Sequence, residues 1–312
     1  MQPLPKCILL LIDDTRESLK PVKFLQRLFP DPTHIGIIVC YFPPPLPPLY
    51  QGASDSQATN KKRSELLMSR EKEIRSVMEK IKSEIVGAGF PRDSIQEHIQ
   101  ERSLTVAKHA CLLANVKKVD AVLIRKRTSS GLEGFLTDDP ASLMIEHCRN
   151  SPVWLTSGDI DPSQAAICLL NEEASLRSAD HTAFMLAETS ARITILHASR
   201  SVSSPISSPV SPYSAELQRW LAADAGKEIA SFLAQAIEIV KTAGIGDERI
   251  HITLIPSRGK VRREILAYCK QEGIGIVSLG HSDPGGTWGF LKRSITREIM
   301  NEFQDMAIWV NQ

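Results

Sequence analysis

The residues best suited by type and spacing to do chemistry lie late in the chain, in Ile276-Val-Ser-Leu-Gly280 and the stretch that follows to Thr296. An apolar run ends on Gly280, a loop bearing Pro284-Gly285-Gly286 follows, and a helix is expected to open near Ser294. Backbone N–H groups in such a loop, with the free N–H groups of a helix start, make a concave anion site. Lys292 and Arg293 add positive charge at that helix start, which suits a phosphate. A plainer reading of the same residues makes Ser294 an N-cap and Pro284-Gly285-Gly286 a turn.

Other chemistry is thinly supplied. His147 and Cys148 adjoin, but no second pair stands at metal-ligand spacing, so no metal site is expected. There is no Gly-x-Ser-x-Gly elbow, His-Glu-x-x-His or Gly-x4-Gly-Lys-Ser/Thr pattern. His197 closes an apolar run, where a structural role is expected. The basic stretch Arg258-Gly-Lys-Val-Arg262-Arg263 reads as a solvated helix face. Thirty-seven Lys and Arg against 36 Asp and Glu leave a net charge of +1, with no global field to hold a phosphate backbone, so nucleic acid is not an expected partner. The apolar run Cys7-Ile-Leu-Leu-Leu-Ile12 stops at Asp13-Asp14, far short of a membrane span, and lacks a secretory cleavage pattern. Six scattered cysteines, with no Cys-x-x-Cys, read as reduced small hydrophobes of a cytoplasmic protein.

The elements that must position these residues occur twice. Gly131-Leu-Glu-Gly-Phe-Leu136 reappears as Gly286-Thr-Trp-Gly-Phe-Leu291, an offset of 155 that also carries Trp154 to Trp309 and Asp120-Ala-Val-Leu-Ile-Arg125 to Gly275-Ile-Val-Ser-Leu-Gly280. Near the start, Lys6-Cys-Ile-Leu-Leu-Leu-Ile-Asp13 matches Gln164-Ala-Ala-Ile-Cys-Leu-Leu-Asn171 at an offset of 158. Duplication followed by a three-residue loop change leaves this trace. Buried strands are expected at 7–12, 35–41, 121–124 and 152–155, and again at 165–170, 192–197, 275–279 and 307–310. Weaker strands fall at 95–99 and 250–255, and helices at 61–88, 104–116, 215–243 and 261–272. Alternating strands and helices give an α/β protein, with two tandem doubly wound five-stranded parallel sheets over 1–157 and 158–312. Two long connections interrupt it at equivalent places: the proline run within 42–60 favours polyproline II, and the Ser/Pro-rich 199–214 a flexible polar excursion. Each reads as an exposed connection, a protein-docking segment or a lid. The fifth strand of each half is an edge, so Pro152-Val-Trp-Leu155 and Ala307-Ile-Trp-Val310 are expected to pair or pack within one chain as a pseudo-dimer; further homodimerisation is left open.

With this duplication and element order, the Gly280–Thr296 segment resembles that of the universal stress protein family, in its tandem two-domain form. The resemblance covers nearly the whole chain outside the two long connections. It implies a doubly wound sheet, a G-x-x-G-x9-G-[S/T] phosphate motif after strand four, and an Asp near the adenine at the end of strand one. Carried over, the motif places its first glycine at Gly280, its hydroxyl residue at Ser294, and a further Ser/Thr at Thr296; Asp283 and Arg293 replace its other glycines, and Asn171 stands where the family often has Asp. In the first half Asp13 matches that Asp, but Arg125, Thr128 and Asp138-Asp139 replace the phosphate motif. Two carboxylates at a helix start would repel a phosphate. The first site is read as lost for nucleotides and the second as partly retained. The resemblance thus implies a cytoplasmic, non-enzymatic stress-response or regulatory protein, with ATP or AMP as the ligand of the C-terminal half. The alternatives are an interaction scaffold of the same fold without nucleotide and, third, a nucleotide hydrolase, for which no general base is evident.

Overall fold

The computed structural model describes residues 4–13, 19–52, 56–126, 140–170, 172–281 and 303–311. In chain order the first half comprises β1 (Lys6–Leu11), α1 (Lys20–Leu28), β2 (Ile35–Tyr41), α2 (Gln57–Gly87), β3 (Ile95–Ile99), α3 (Val106–Lys117), β4 (Ala121–Arg125), α4 (Pro140–His147) and β5 (Val153–Ser157). The second comprises β6 (Gln164–Cys168), α5 (Glu173–Leu186), β7 (Arg192–Ser199), β8 (Ile206–Pro209), α6 (Ala215–Ala222), α7 (Asp224–Thr242), β9 (Ile250–Pro256), α8 (Val261–Gln271), β10 (Ile276–Gly280) and β11 (Met306–Asn311). The apolar runs became strands because each is buried on both sides. In β1, Ile8, Leu9 and Leu10 are fully covered, with alternate residues feeding opposite faces.

All eleven strands form one sheet in the order β3-β2-β1-β4-β5-β11-β10-β6-β7-β9-β8. Each half shows the same doubly wound order, the second reversed across the sheet. Pairing within a half is parallel, except for the added strand β8. Helices α1, α2, α5, α6 and α7 cover one face; α3, α4 and α8 cover the other. The halves join where β5 meets β11, antiparallel, with Trp154 opposite Trp309. Those indoles stack at 4.0 Å between centroids and 2° between planes, as expected of the paired fifth strands.

Three expectations need correction. The connection 199–214 is not simply an excursion: Ile206–Pro209 forms β8, antiparallel to β9, with Ile206 opposite Leu254. Its short apolar signal, Ile206 among serines and prolines, is too sparse to read as a strand. The helix expected over 215–243 is two helices. They break at Ala223 because Gly226 approaches the end of α6 so closely that a Cβ there would collide with the Trp220 carbonyl. Finally, Cys111 and Cys148 are disulfide-bonded rather than reduced; Cys7, Cys40, Cys168 and Cys269 remain free. The two sulfurs stand 37 residues apart in sequence and meet only because α3 packs against α4.

Candidate functional site

Doubly wound sheets bind ligands beyond the carboxyl ends of their strands, where the strand order reverses. That point lies between β1 and β4 in the first half and between β6 and β10 in the second. In the second half, α5 starts hard against the end of β6: the Leu170 N–H donates to Ser175 Oγ at 2.8 Å. Gly280 ends β10 beside the first turn of α5, and any Cβ at this position would overlap the Ala174 carbonyl. Close approach, not a left-handed φ, makes glycine obligatory here. The backbone of residue 280 therefore borders the crevice with no side chain of its own.

A buried hydroxyl cluster fixes that arrangement from below. Ser278 Oγ lies 2.8 Å from Ser178 Oγ and 2.6 Å from Thr182 Oγ1, and Asn311 Nδ2 donates to Ser278 Oγ at 2.8 Å and Ser178 Oγ at 3.2 Å. All four residues are buried, and they tie α5 to β10 and β11. By strand register the first half has Pro21, Leu25, Leu123 and Thr156 at these positions, so the network belongs to the second half alone. Sequence reasoning missed it; Ser278 interrupting Ile276-Val-Ser-Leu279 was the available signal.

His197, at the end of β7, donates from Nδ1 to the Leu169 carbonyl at 2.9 Å and tilts against the Trp220 ring at 5.9 Å. Burial lowers its pKa, only partly opposed by that hydrogen bond. The contact is structural, as expected. In the turn before α8, Glu264 Oε1 accepts the Arg258 N–H at 2.7 Å. Burial works to raise the Glu264 carboxyl, but hydrogen bonds from Arg258, Ser257 and Lys260 outweigh it and hold the group below its ordinary value. Three cations, Arg200, Arg258 and Lys260, are exposed on this side of the crevice.

The first half is built differently at the same places. Arg125 replaces Gly280, while Pro44, Ser103 and Thr105 replace Arg200, Arg258 and Lys260. His109, the counterpart of Glu264, accepts the Ser103 and Leu104 N–H groups on Nε2 at 3.0 and 3.1 Å and stacks on Phe42 at 5.1 Å. Burial, with His98 nearby, holds its imidazole below the ordinary value, and a neutral ring is what two donors require. Lys126, just past β4, leaves its own crevice and lies 4.6 Å over the Phe303 ring of the second half. These roles of His109 and Lys126 carry no spacing signature in the sequence.

Of the sequence-predicted site residues, Gly280 lies at the end of β10 and Asp13 is half-buried just past β1, each at its own switch point and in different halves. Asn171, Lys292, Arg293, Ser294 and Thr296 lie outside the described residues, as do Asp138, Asp139 and Asp283. Among the described residues no group of three or more His, Cys, Asp or Glu gathers to hold a metal, and no helix is long and apolar enough to cross a membrane.

No family model matches the chain, and no curated protein matches it. Solved structures do. A universal stress protein from Archaeoglobus fulgidus DSM 4304 superposes over 99% of this chain and 97% of its own, at 13% identity and a TM-score of 0.62. The chain has the universal stress protein fold. A Pseudomonas aeruginosa PAO1 protein of unknown function aligns over 98% of this chain and 92% of its own, at 12% identity and a TM-score of 0.48. A universal stress protein solved in complex with cAMP aligns over 48% of this chain and 97% of its own, at 16% identity and a TM-score of 0.35. The universal stress protein fold accounts for the sheet order in each half of the chain.

Proposed function

We propose that this chain is a non-enzymatic, cytoplasmic stress-response or regulatory protein of two tandem units, 1–157 and 158–312, whose second unit binds an adenine nucleotide, ATP or AMP. The observation that carries the proposal is Gly280 at the second switch point, where backbone alone faces the crevice beside the start of α5. The equivalent first-half position is Arg125, and that half's turn amides are already taken by His109. Gly280, Ser294 and Thr296 are the proposed phosphate contacts, with Lys292 and Arg293 adding positive charge nearby, and Asn171 replaces Asp13 at the base-binding end.

The affinity is set low by Asp283, a carboxylate in a phosphate loop, and by the bulk of Arg293, where glycines would let the backbone approach. Titration of the full-length protein with a fluorescent adenine nucleotide tests this. Asp283→Gly with Arg293→Gly is expected to tighten binding about tenfold, roughly 1.4 kcal/mol. Loss of binding in the double variant would make Arg293 a ligand and overturn the account. No binding in either form would favour the scaffold reading.

A further inference from the structure

The chain has four Ser-Pro dipeptides, at Ser151, Ser204, Ser208 and Ser211, and their surroundings differ sharply. Ser151 is buried. Ser208 is buried too, and its hydroxyl is committed: it donates to the Pro209 carbonyl at 2.8 Å and accepts the Ser214 N–H at 2.7 Å. Only Ser204 and Ser211 are exposed.

The two exposed serines stand at opposite ends of β8. That strand runs antiparallel to β9, with Ile206 opposite Leu254 and Pro209 opposite His251. Ser204 lies two residues before β8, beyond its paired residues, and Pro256 ends β9 at the carboxyl edge of the sheet. Ser257 and Arg258 follow Pro256 directly, and the Ser257 N–H donates to the Ser199 carbonyl at 2.9 Å, which draws Arg200 to the same turn. A Cβ on Gly259 would stand 3.3 Å from Arg200 Nη2, so the guanidinium lies on the Arg258-Gly259-Lys260 turn. Arg200, Arg258 and Lys260 are all exposed, and among the described residues none has a salt bridge. Glu264 is a carboxylate at this turn, and its Oε1 accepts the Arg258 N–H. Arg200 thus lies on the Arg258–Lys260 turn at the carboxyl edge of β9, and the exposed Ser204 follows Arg200 by four residues. The first half has Pro44, Ser103 and Thr105 at the positions of the cations and, among the described residues, no counterpart of β8.

We propose that Ser204 is a phosphoacceptor for a proline-directed protein kinase, and that its phosphate docks on Arg200, Arg258 and Lys260. In the transfer, Ser204 Oγ bonds to the γ-phosphorus of ATP as the bond to the leaving ADP oxygen breaks. The hydroxyl proton passes to the kinase's catalytic carboxylate. The product brings close to two negative charges and three acceptor oxygens to a cationic turn, an arrangement that orders a loop through charge-assisted hydrogen bonds. The phosphate would then pin the 200–205 connection over the β7–β9 side of the crevice. The proposal does not depend on nucleotide binding.

Full-length protein treated with a proline-directed kinase, ATP and magnesium, then mapped by mass spectrometry, is expected to carry phosphate on Ser204 and none on Ser208 or Ser151. A ³¹P titration then reads the docking. The second ionisation of the Ser204 phosphate should fall below the usual value of about 6 and return to it in Arg200→Ala with Arg258→Ala. The double change lies on the exposed turn, and circular dichroism checks that it stays folded. Two results would overturn the proposal: no phosphate on Ser204 from a kinase active on its reference peptide, or a Ser204 phosphate that titrates like free phosphoserine whether or not the arginines are present.

Discussion

The junction between halves rests on residues whose chemistry is not symmetric. Trp154 and Trp309 are both fully buried and stacked, and His181 of α5 meets both rings edge-on. Only Trp154 gains a hydrogen bond, donating Nε1–H to His181 Nε2 at 3.1 Å. Burial pushes the His181 imidazole down to about 3, so the acceptor nitrogen stays unprotonated across the physiological range. Trp309 Nε1 is buried with no partner among the described residues. An unpaired buried donor costs about 1–3 kcal/mol, whereas removing both halves of a bond differs from removing one. Trp154→Phe should therefore destabilise the protein more than Trp309→Phe, by about 1 kcal/mol, in paired urea titrations. Equal losses would show that the His181 contact contributes nothing. The tryptophans were legible because they recur at a fixed offset. His181 was not, since its counterpart is Phe24, which meets Trp154 edge-on as an ordinary core residue, and no pattern marks the histidine.

At the scale of elements, strands were the legible part and their edges were not. Burial on both faces writes a continuous apolar run into the sequence, as in Ile35-Gly-Ile-Ile-Val-Cys-Tyr41, and duplication doubles the signal. An edge strand needs no such run. Strand β8 covers the outer edge of β9 with four residues, Ile206–Pro209, whereas among the described residues no strand pairs with β3 on that side, where Glu97 meets Lys82 of α2. Helix contacts were equally silent about Cys111 and Cys148, whose second-half counterparts are the buried apolar pair Leu266 and Phe303. The pair of positions is thus covalent in one half and apolar in the other. A disulfide closing a loop of this length stabilises by about 2–4 kcal/mol, mainly by restricting the unfolded chain. Reductant should lower the melting temperature of the native protein by several degrees. It should leave that of Cys111→Leu with Cys148→Phe unchanged. A native protein that loses the bond, by mass, without any shift would refute the estimate.

For the whole molecule, one sheet of eleven strands binds the halves more firmly than the ties around it. Arg27 pairs with Asp159 at 2.6 Å, and Glu188 pairs with both Lys6 and His34, but exposed ion pairs such as the first add little. Lys126 reaching over Phe303 is a further tie, on the crevice side. Strand order followed from the repeat and the apolar runs. The division of labour between crevices followed only in part, because charge at Asp138-Asp139 is visible in sequence whereas a turn sealed by His109 is not. The central claim is that the two halves, alike in fold, differ in what they can hold, and that an adenine nucleotide belongs to the second. Photo-crosslinking the full-length protein with 8-azido-ATP, then mapping the labelled peptides by mass spectrometry, tests it most directly. The account predicts label within 158–312, displaced by excess ATP; ATP-displaceable label within 1–157 would contradict it.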